Sequence, residues 1–187
     1  TCAAISMVYL FERMFLLHGE SKYIDCLERT LYNGVISGMS MDGGRFFYPN
    51  PLSSDGKYKF NSDGNTTRQP WFGCACCPSN LCRFIPSVPG YLFGVKDNNI
   101  YVNLFAGNTS TIKVGGKNVV LEETTEYPWD GDIKITVKKS DAKNANLLVR
   151  IPGWVRNQVV PSDLYAYRDA EKPTYSVTVN GKAVEAD

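Results

Sequence analysis

Apolar residues recur with helical spacing in the first part of the chain. From Thr1 to Gly19 they cover nearly the whole circumference of the predicted helix, which is typical of a helix inside a larger helical layer. Thr1 is a suitable N-cap, and Gly19 is a suitable C-terminal signal. Ser21 can cap a second helix, whose apolar residues lie at i, i+3, i+7 and i+11: Ile24, Leu27, Leu31 and Val35. Two helices cannot enclose a core alone, so we expect more helices of the same kind outside this chain.

The pattern changes after Gly38, where short aromatic runs alternate with Pro, Ser, Asp and Gly as far as residue 65. This segment predicts a β-hairpin or an extended loop over the helices. A turn with several cysteines follows, and Pro78 is expected at the first position of a short third helix. Pro89 and Gly90 are expected to end that helix.

From Tyr91 onward the pattern is that of β-strands. Turn residues separate short apolar runs at intervals of roughly ten residues, which is the spacing of a sandwich or barrel. The predicted strands are YLFGV, NIYVNLF, STIKV, NVVLEET, DIKITVKK, NLLVRI and YSVTV. We therefore predict an α+β fold in which helices precede an antiparallel β-sandwich. The predicted domains are residues 1–90 and residues 91–187, and the second is expected to be incomplete at its C-terminal end.

Composition and charge exclude several classes of protein. With 43% hydrophobic and 21% charged residues, the 187-residue chain is typical of folded globular proteins. The net charge of +1 predicts no nucleic-acid partner, and no run approaches the ~20 apolar residues of a membrane span, so no membrane partner is expected either. The chain begins with Thr1 and ends in a predicted hairpin strand. We therefore expect a piece of a longer protein, and its cytoplasmic or periplasmic location is left open.

The stretch GCACCPSN, which begins at Gly73, places three of the six cysteines within four positions. All six lie in the first 82 residues, which indicates a local site rather than a disulfide framework. Three hypotheses remain open for Cys74, Cys76 and Cys77 together with Cys2: small buried side chains, a redox pair or vicinal disulfide, and a zinc site. Thiolates suit zinc and the N-terminus of a following helix would stabilise them, although the spacing is not that of a zinc finger.

Seven motifs in one order give a resemblance that covers essentially the whole chain. They are TCAAI at the start, ERTLYNG from Glu28, FFYPNPL from Phe46, GCACCPSN from Gly73, IYVNLF from Ile100, YPWDGDIKITV from Tyr127 and LLVRIPGW from Leu147. In these motifs the chain resembles the zinc-cysteine β-L-arabinofuranosidases of glycoside hydrolase family 127. The resemblance implies the last helices of an (α/α) barrel followed by a β-sandwich, and it implies an internal fragment of such an enzyme.

The resemblance also implies a zinc site and a nucleophile. Cys2, Cys76 and Cys77 correspond to the three cysteine ligands of Zn²⁺ in the family, and the fourth ligand is a glutamate that would precede Thr1. Cys76 corresponds to the nucleophile of a retaining hydrolysis, whereas Cys74 belongs to the motif without binding the metal. The general acid of the family is another glutamate upstream, so the fragment itself is expected to be inactive. Because the fragment also lacks the fourth ligand, loss of zinc from it is expected to be easy.

Two further residues match family positions near the carbohydrate substrate. Tyr48 matches a tyrosine that contacts the sugar, and Glu28 matches a glutamate near the pocket; aromatic packing and a surface ion pair are the respective alternatives. The expected parent is a bacterial enzyme that releases β-L-arabinofuranose or a related sugar from plant-type glycans. There are two alternatives. One is a non-catalytic carbohydrate-binding or structural module with a structural zinc, and the other is a zinc-regulated redox protein. Helix faces without barrel partners predict self-association into a homo-oligomer.

Overall fold

The computed structural model describes residues 1–168 and 173–186, so a few positions of the predicted second domain lie outside the described residues. Helices and β-sheets both occur, and the fold is α+β as predicted. The chain divides into two compact units, Thr1–Arg150 and Ile151–Asp187. The predicted domain boundary near Gly90 falls inside the first unit. Among the described residues, no helix combines the length and the apolar character needed to cross a bilayer.

The first unit begins with the predicted helical hairpin. Helix α1 is Cys2–His18 and helix α2 is Ser21–Thr30. Gly19 ends α1 in the left-handed conformation, with φ of 71°, and its N–H donates to the carbonyl of Phe15. Within this chain only one side of α1 is covered, because its fully or nearly fully buried residues are Ile5, Val8 and Phe15, whereas Leu17 is 74% exposed.

Beyond α2 the chain tightens and approaches α1 closely. A π-helical turn, Leu31–Val35, leads into a 3₁₀ turn, Ile36–Gly38. A Cβ atom added to Gly34 would lie 3.0 Å from the Cβ of Ala4, so the glycine permits this close approach of two backbones. The start of α1 is thereby held against the end of the helical hairpin.

The aromatic segment after Gly38 is an extended loop and not a regular hairpin. It pairs only through isolated bridges, in which Phe46 pairs with both Met39 and Gln69. A 3₁₀ turn, Ser62–Gly64, interrupts it. The buried Asn61 side chain accepts from the N–H of Tyr48 and donates to the carbonyl of Thr67, so side-chain hydrogen bonds replace a strand ladder.

Helix α3 is Cys76–Phe84, and a 3₁₀ segment, Ile85–Tyr91, continues it. The prediction that Pro78 occupies the first helical position is wrong, because the helix begins two residues earlier at Cys76 and Ala75 is its N-cap. A proline is tolerated anywhere in the first turn, since N–H groups there have no partner within the helix. The correction matters because it places both Cys76 and Cys77 on the first turn.

Eight strands follow in the described residues, and each of the seven predicted runs overlaps one of them. They are β1 Phe93–Lys96, β2 Asn99–Val102, β3 Asn108–Val114, β4 Lys117–Thr125, β5 Ile133–Ser140, β6 Asn146–Val149, β7 Val177–Val179 and β8 Lys182–Val184. The first six form two three-stranded sheets with orders β1-β2-β6 and β3-β4-β5. The prediction of purely antiparallel pairing is wrong for one pair, because β6 returns after β3, β4 and β5 to lie parallel to β2.

Two hydrophobic clusters fill the first unit. The larger one joins the helices to the start of the β region, and the smaller one lies between the sheets, with Ile100, Ile112 and Leu121 buried. A Cβ atom on Gly94 in β1 would lie 2.9 Å from Cε1 of Phe15 in α1. Helices and strands therefore share one packed interface in this unit.

The second unit contains a 3₁₀ turn, Gly153–Arg156, and the β7-β8 hairpin. Asn180 and Gly181 connect the two strands with φ of 52° and 79°. Positive φ at both central positions is the geometry of a type I′ turn, for which Asn-Gly is the preferred sequence. The hairpin predicted for the end of the chain is confirmed.

Candidate metal and thiol site

Three thiols meet where two helices begin. Cys2 is the first residue of α1, and Cys76 and Cys77 are the first two residues of α3. Their sulfur atoms all lie within 4.8 Å of one another. The Sγ atoms of Cys2 and Cys77 are 3.3 Å apart, and those of Cys76 and Cys77 are 4.0 Å apart. All six cysteines of the chain are free thiols.

The spacing of these sulfurs suits a tetrahedral metal ion. With Zn–S bonds of ~2.3 Å, ligand sulfurs in a tetrahedral site are separated by roughly 3.8 Å. The Sγ separations of 3.3 and 4.0 Å bracket that value, so the three side chains fit a zinc ion with little movement. Two helix N-termini also direct positive partial charge toward the sulfurs, which favours thiolates.

The three thiols differ in their surroundings. Cys77 is buried at 6% exposure, and burial raises the pKa of its thiol to about 11. Cys76 is exposed, and Cys2 is intermediate. The arrangement therefore has an interior sulfur, Cys77, and an outward-facing sulfur, Cys76, that a ligand from solution can reach.

Tyr48 reaches the same outward-facing sulfur from the loop. Its hydroxyl oxygen lies 2.6 Å from Sγ of Cys76 and 3.9 Å from Sγ of Cys74, which is also exposed. Hydrogen bonding to Cys76, then to Cys74, raises the pKa of the Tyr48 phenol above its ordinary value. The Tyr48 hydroxyl therefore contacts the Cys76 sulfur directly, and the Cys74 sulfur lies farther from the same hydroxyl.

Glu28 lies in a different, buried cluster. The carboxylate of Glu28, which is 5% exposed, accepts from Arg150 through Nη2 at 2.6 Å and Nη1 at 3.3 Å, and from the Tyr127 hydroxyl at 2.9 Å. Arg150 also donates to Asp25 Oδ1 at 2.7 Å and to the Asn103 carbonyl at 2.6 Å. This cluster connects α2 to the residues that follow β2 and β6. Glu28 is therefore part of a buried ion pair, and the alternative of a surface ion pair is wrong.

The predicted site residues Cys2, Cys76, Cys77 and Tyr48 lie side by side in the structure. Arg150, the partner of Glu28, was not predicted from the sequence. One signal was present, because Arg150 follows directly on the apolar run LLV in a predicted strand, where a charge requires a buried partner.

Comparison with known proteins gives matches over nearly the whole chain. The family model for the catalytic domain of β-L-arabinofuranosidases of glycoside hydrolase family 127 matches residues 1–90, and the model for the middle domain of the same family matches residues 99–187. A non-reducing end β-L-arabinofuranosidase of Bifidobacterium longum subsp. longum is 33% identical over 190 residues, which is 97% of this chain and 26% of that protein.

Solved structures give the same picture. A family 127 β-arabinofuranosidase is 56% identical with a TM-score of 0.90, and the match covers 100% of this chain and 28% of that one. A family 127 β-L-arabinofuranosidase from Geobacillus stearothermophilus is 37% identical with a TM-score of 0.79, over 98% of this chain and 27% of that one. The chain thus spans about a quarter of the length of these relatives.

Proposed function

The chain belongs to the β-L-arabinofuranosidase family 127 of glycoside hydrolases, and from this we propose that it is part of a retaining glycosidase that releases β-L-arabinofuranose or a related sugar from plant-type glycans. The observation that carries the proposal is the meeting of Cys2, Cys76 and Cys77 at two helix N-termini, with Cys76 open to solvent. The named relatives, all described as arabinofuranosidases, support the choice of sugar.

We propose Cys2, Cys76 and Cys77 as ligands of a zinc ion. The sulfur spacing supports this set, and a glutamate outside these 187 residues is proposed as the fourth donor. When bound, the ion supplies a positive charge that keeps the thiols deprotonated near neutral pH.

The residues of the chain would then act as follows. The Cys76 sulfur attacks the anomeric carbon, a C–S bond forms, and the glycosidic C–O bond breaks while a carboxylic acid outside this chain protonates the leaving oxygen. Water next attacks the same carbon and gives its proton to that carboxylate, the C–S bond breaks, and the electron pair returns to the Cys76 sulfur. Two displacements retain the anomeric configuration. The exposure of Cys76 and the burial of Cys77 support this division of roles.

The domain assignment is part of the proposal. Residues 1–90 would be the end of an (α/α) barrel that carries the catalytic site, and residues 91–187 would be most of a β-sandwich. The family matches to a catalytic and a middle domain support this division. The exposed apolar residues of α1 support a barrel as well: Met7, Tyr9, Leu10, Leu16 and Leu17. In an isolated chain the same face is proposed to meet a second copy.

Tyr48 and Glu28 are proposed to border the sugar site. Tyr48 stands at the exposed side of the thiols, which supports its assignment. Glu28 is held by Arg150 and Tyr127, so three of its lone-pair positions are occupied and it would face the sugar only as a fixed acceptor.

The test is Cys76→Ser in the longer enzyme that contains this chain, with Cys82→Ser as the matched control because Cys82 is an exposed cysteine on the same helix. We expect the first substitution to reduce hydrolysis of an aryl β-L-arabinofuranoside by several orders of magnitude and the second to leave it unchanged. In the unsubstituted enzyme, peptide mass spectrometry should find an added arabinosyl group on Cys76. Undiminished hydrolysis by Cys76→Ser, with zinc retained, would exclude the nucleophile and favour a structural zinc module.

A further inference from the structure

The hydroxyl of Tyr48 contacts the sulfur that the proposed reaction uses. Its oxygen lies 2.6 Å from Sγ of Cys76, a direct contact in which either atom could donate the hydrogen bond. A thiolate has no proton to donate, so in the ionised site the phenol donates and the sulfur accepts. Hydrogen bonds to anions are stronger and more directional than those between neutral groups. The contact therefore fixes both the position and the orientation of the Cys76 sulfur.

Tyr48 is itself held at several points. Its backbone N–H donates to Oδ1 of Asn61 at 2.8 Å, and Asn61 is only 3% exposed. Its ring meets the buried ring of Phe72 edge to face, with the ring centroids 5.6 Å apart. A phenol fixed in this way loses little conformational freedom when it binds a sulfur, which makes it an effective orienting group.

The backbone of Tyr48 also holds the other half of the thiol site. Its carbonyl accepts from the hydroxyl of Thr1 at 3.0 Å, and Thr1 directly precedes the first ligand candidate, Cys2. The same residue thus binds the start of α1 through its carbonyl and the first turn of α3 through its hydroxyl. Cys2 and Cys76 are 74 residues apart in sequence, and Tyr48 connects the two segments that carry them.

We propose that Tyr48, besides bordering the sugar site, is a positioning residue for the Cys76 sulfur and affects the reaction through that sulfur. This inference rests on the proposed function, in which Cys76 is the nucleophile. In the first displacement the hydrogen bond directs the sulfur toward the anomeric carbon. In the second it stabilises the departing thiolate, because the same O–H donates to the negative charge that develops on sulfur.

The experiment compares Tyr48→Phe with Tyr58→Phe in the longer enzyme. Tyr48→Phe removes the hydroxyl and keeps the ring contact with Phe72, whereas Tyr58 lies in the same loop with 73% exposure and serves as the matched control. We expect Tyr48→Phe to lower kcat about ten- to a hundredfold, the effect of losing a hydrogen bond to an anion, with KM little changed. Tyr58→Phe should leave both constants unchanged.

A second measurement reports on the environment of the Cys76 sulfur and does not depend on catalytic activity. Both variants and the unsubstituted enzyme are loaded with Co²⁺, whose thiolate charge-transfer absorption depends on the geometry and hydrogen bonding of the ligand sulfurs. We expect Tyr48→Phe to shift this band and Tyr58→Phe to leave it in place. A raised KM with unchanged kcat, or a band unaltered by Tyr48→Phe, would overturn the inference and leave Tyr48 with a sugar contact or a packing role alone. Failure of the proposed function is distinct, since it would be seen as full activity of Cys76→Ser.

Discussion

Replacing Arg150 with Met should strongly destabilise the first unit of the chain. Arg150 is 5% exposed and its guanidinium binds Glu28, Asp25 and the Asn103 carbonyl. Methionine preserves much of the apolar stem but leaves the Glu28 carboxylate, whose side chain is 6% exposed, without its cation. Breaking a buried ion pair by removing one partner costs about 3–5 kcal/mol, so we expect a loss of that size in the free energy of unfolding.

The matched variant is the double substitution Arg150→Met with Glu28→Gln, which removes both charges. Glutamine keeps an acceptor for the Tyr127 hydroxyl, and Asp25 is 14% exposed and can be solvated, so most of the lost stability should return.

The assay is equilibrium unfolding of the 187-residue chain in urea, followed by tryptophan fluorescence, for the unsubstituted chain, both single variants and the double variant. The interaction energy follows from the four values. A loss below about 1 kcal/mol for Arg150→Met, or a double variant as unstable as the single one, would show that the pair is not the buried anchor described here.

Three further outcomes are expected. Glu123 is 3% exposed, and burial raises the pKa of its carboxyl to about 7 from 4.5. The folded chain therefore binds more protons there than the unfolded chain between these pH values, and stability should fall as the pH rises through that window, by up to about 3 kcal/mol. Glu123→Gln should remove this fall in urea titrations at pH 5 and 8, and an equal pH dependence in both chains would contradict the assignment. Cys77→Ser and Cys2→Ser should each reduce bound zinc, measured by elemental analysis after dialysis, whereas Cys26→Ser should not; full zinc retention in the first two would exclude the ligand set. Gly94→Ala should lower the free energy of unfolding by about 1–3 kcal/mol, because its Cβ would lie 2.9 Å from the Phe15 ring, and an unchanged value would mean that the ring moves freely.

The sequence predicted the elements better than their pairing. Strand periodicity located all seven predicted strands, because alternating side chains follow from the local backbone. The parallel pairing of β2 with β6 was not predictable in this way, since it depends on how β3, β4 and β5 fold between them. The start of α3 was misplaced because Pro78 is a strong but tolerant signal within the first turn.

In the thiol site, too, local features were predicted from the sequence and long-range contacts were not. The density of cysteines in GCACCPSN indicated special chemistry from local sequence, whereas the assignment of Cys2 as a metal ligand came from resemblance to a family. Tyr48 contacts Cys76, which is 28 positions away in the sequence, and Glu28 pairs with Arg150, which is 122 positions away. No local pattern specifies such contacts, because they depend on the packing of segments that are distant in sequence.

Because the three thiols come from two separate helices, metal binding and helix packing are linked. Helices α1 and α3 meet directly, and the Tyr9 ring of α1 packs edge to face on the buried Phe84 of α3 with centroids 5.6 Å apart. A change that separates these helices moves Cys2 away from Cys76 and Cys77, which weakens the metal site even far from the sulfurs. By the same thermodynamic linkage, a metal that binds only the assembled thiols stabilises the contact between α1 and α3. In the proposed enzyme the ion would therefore hold the two helix N-termini together as well as the nucleophile in its ionised form.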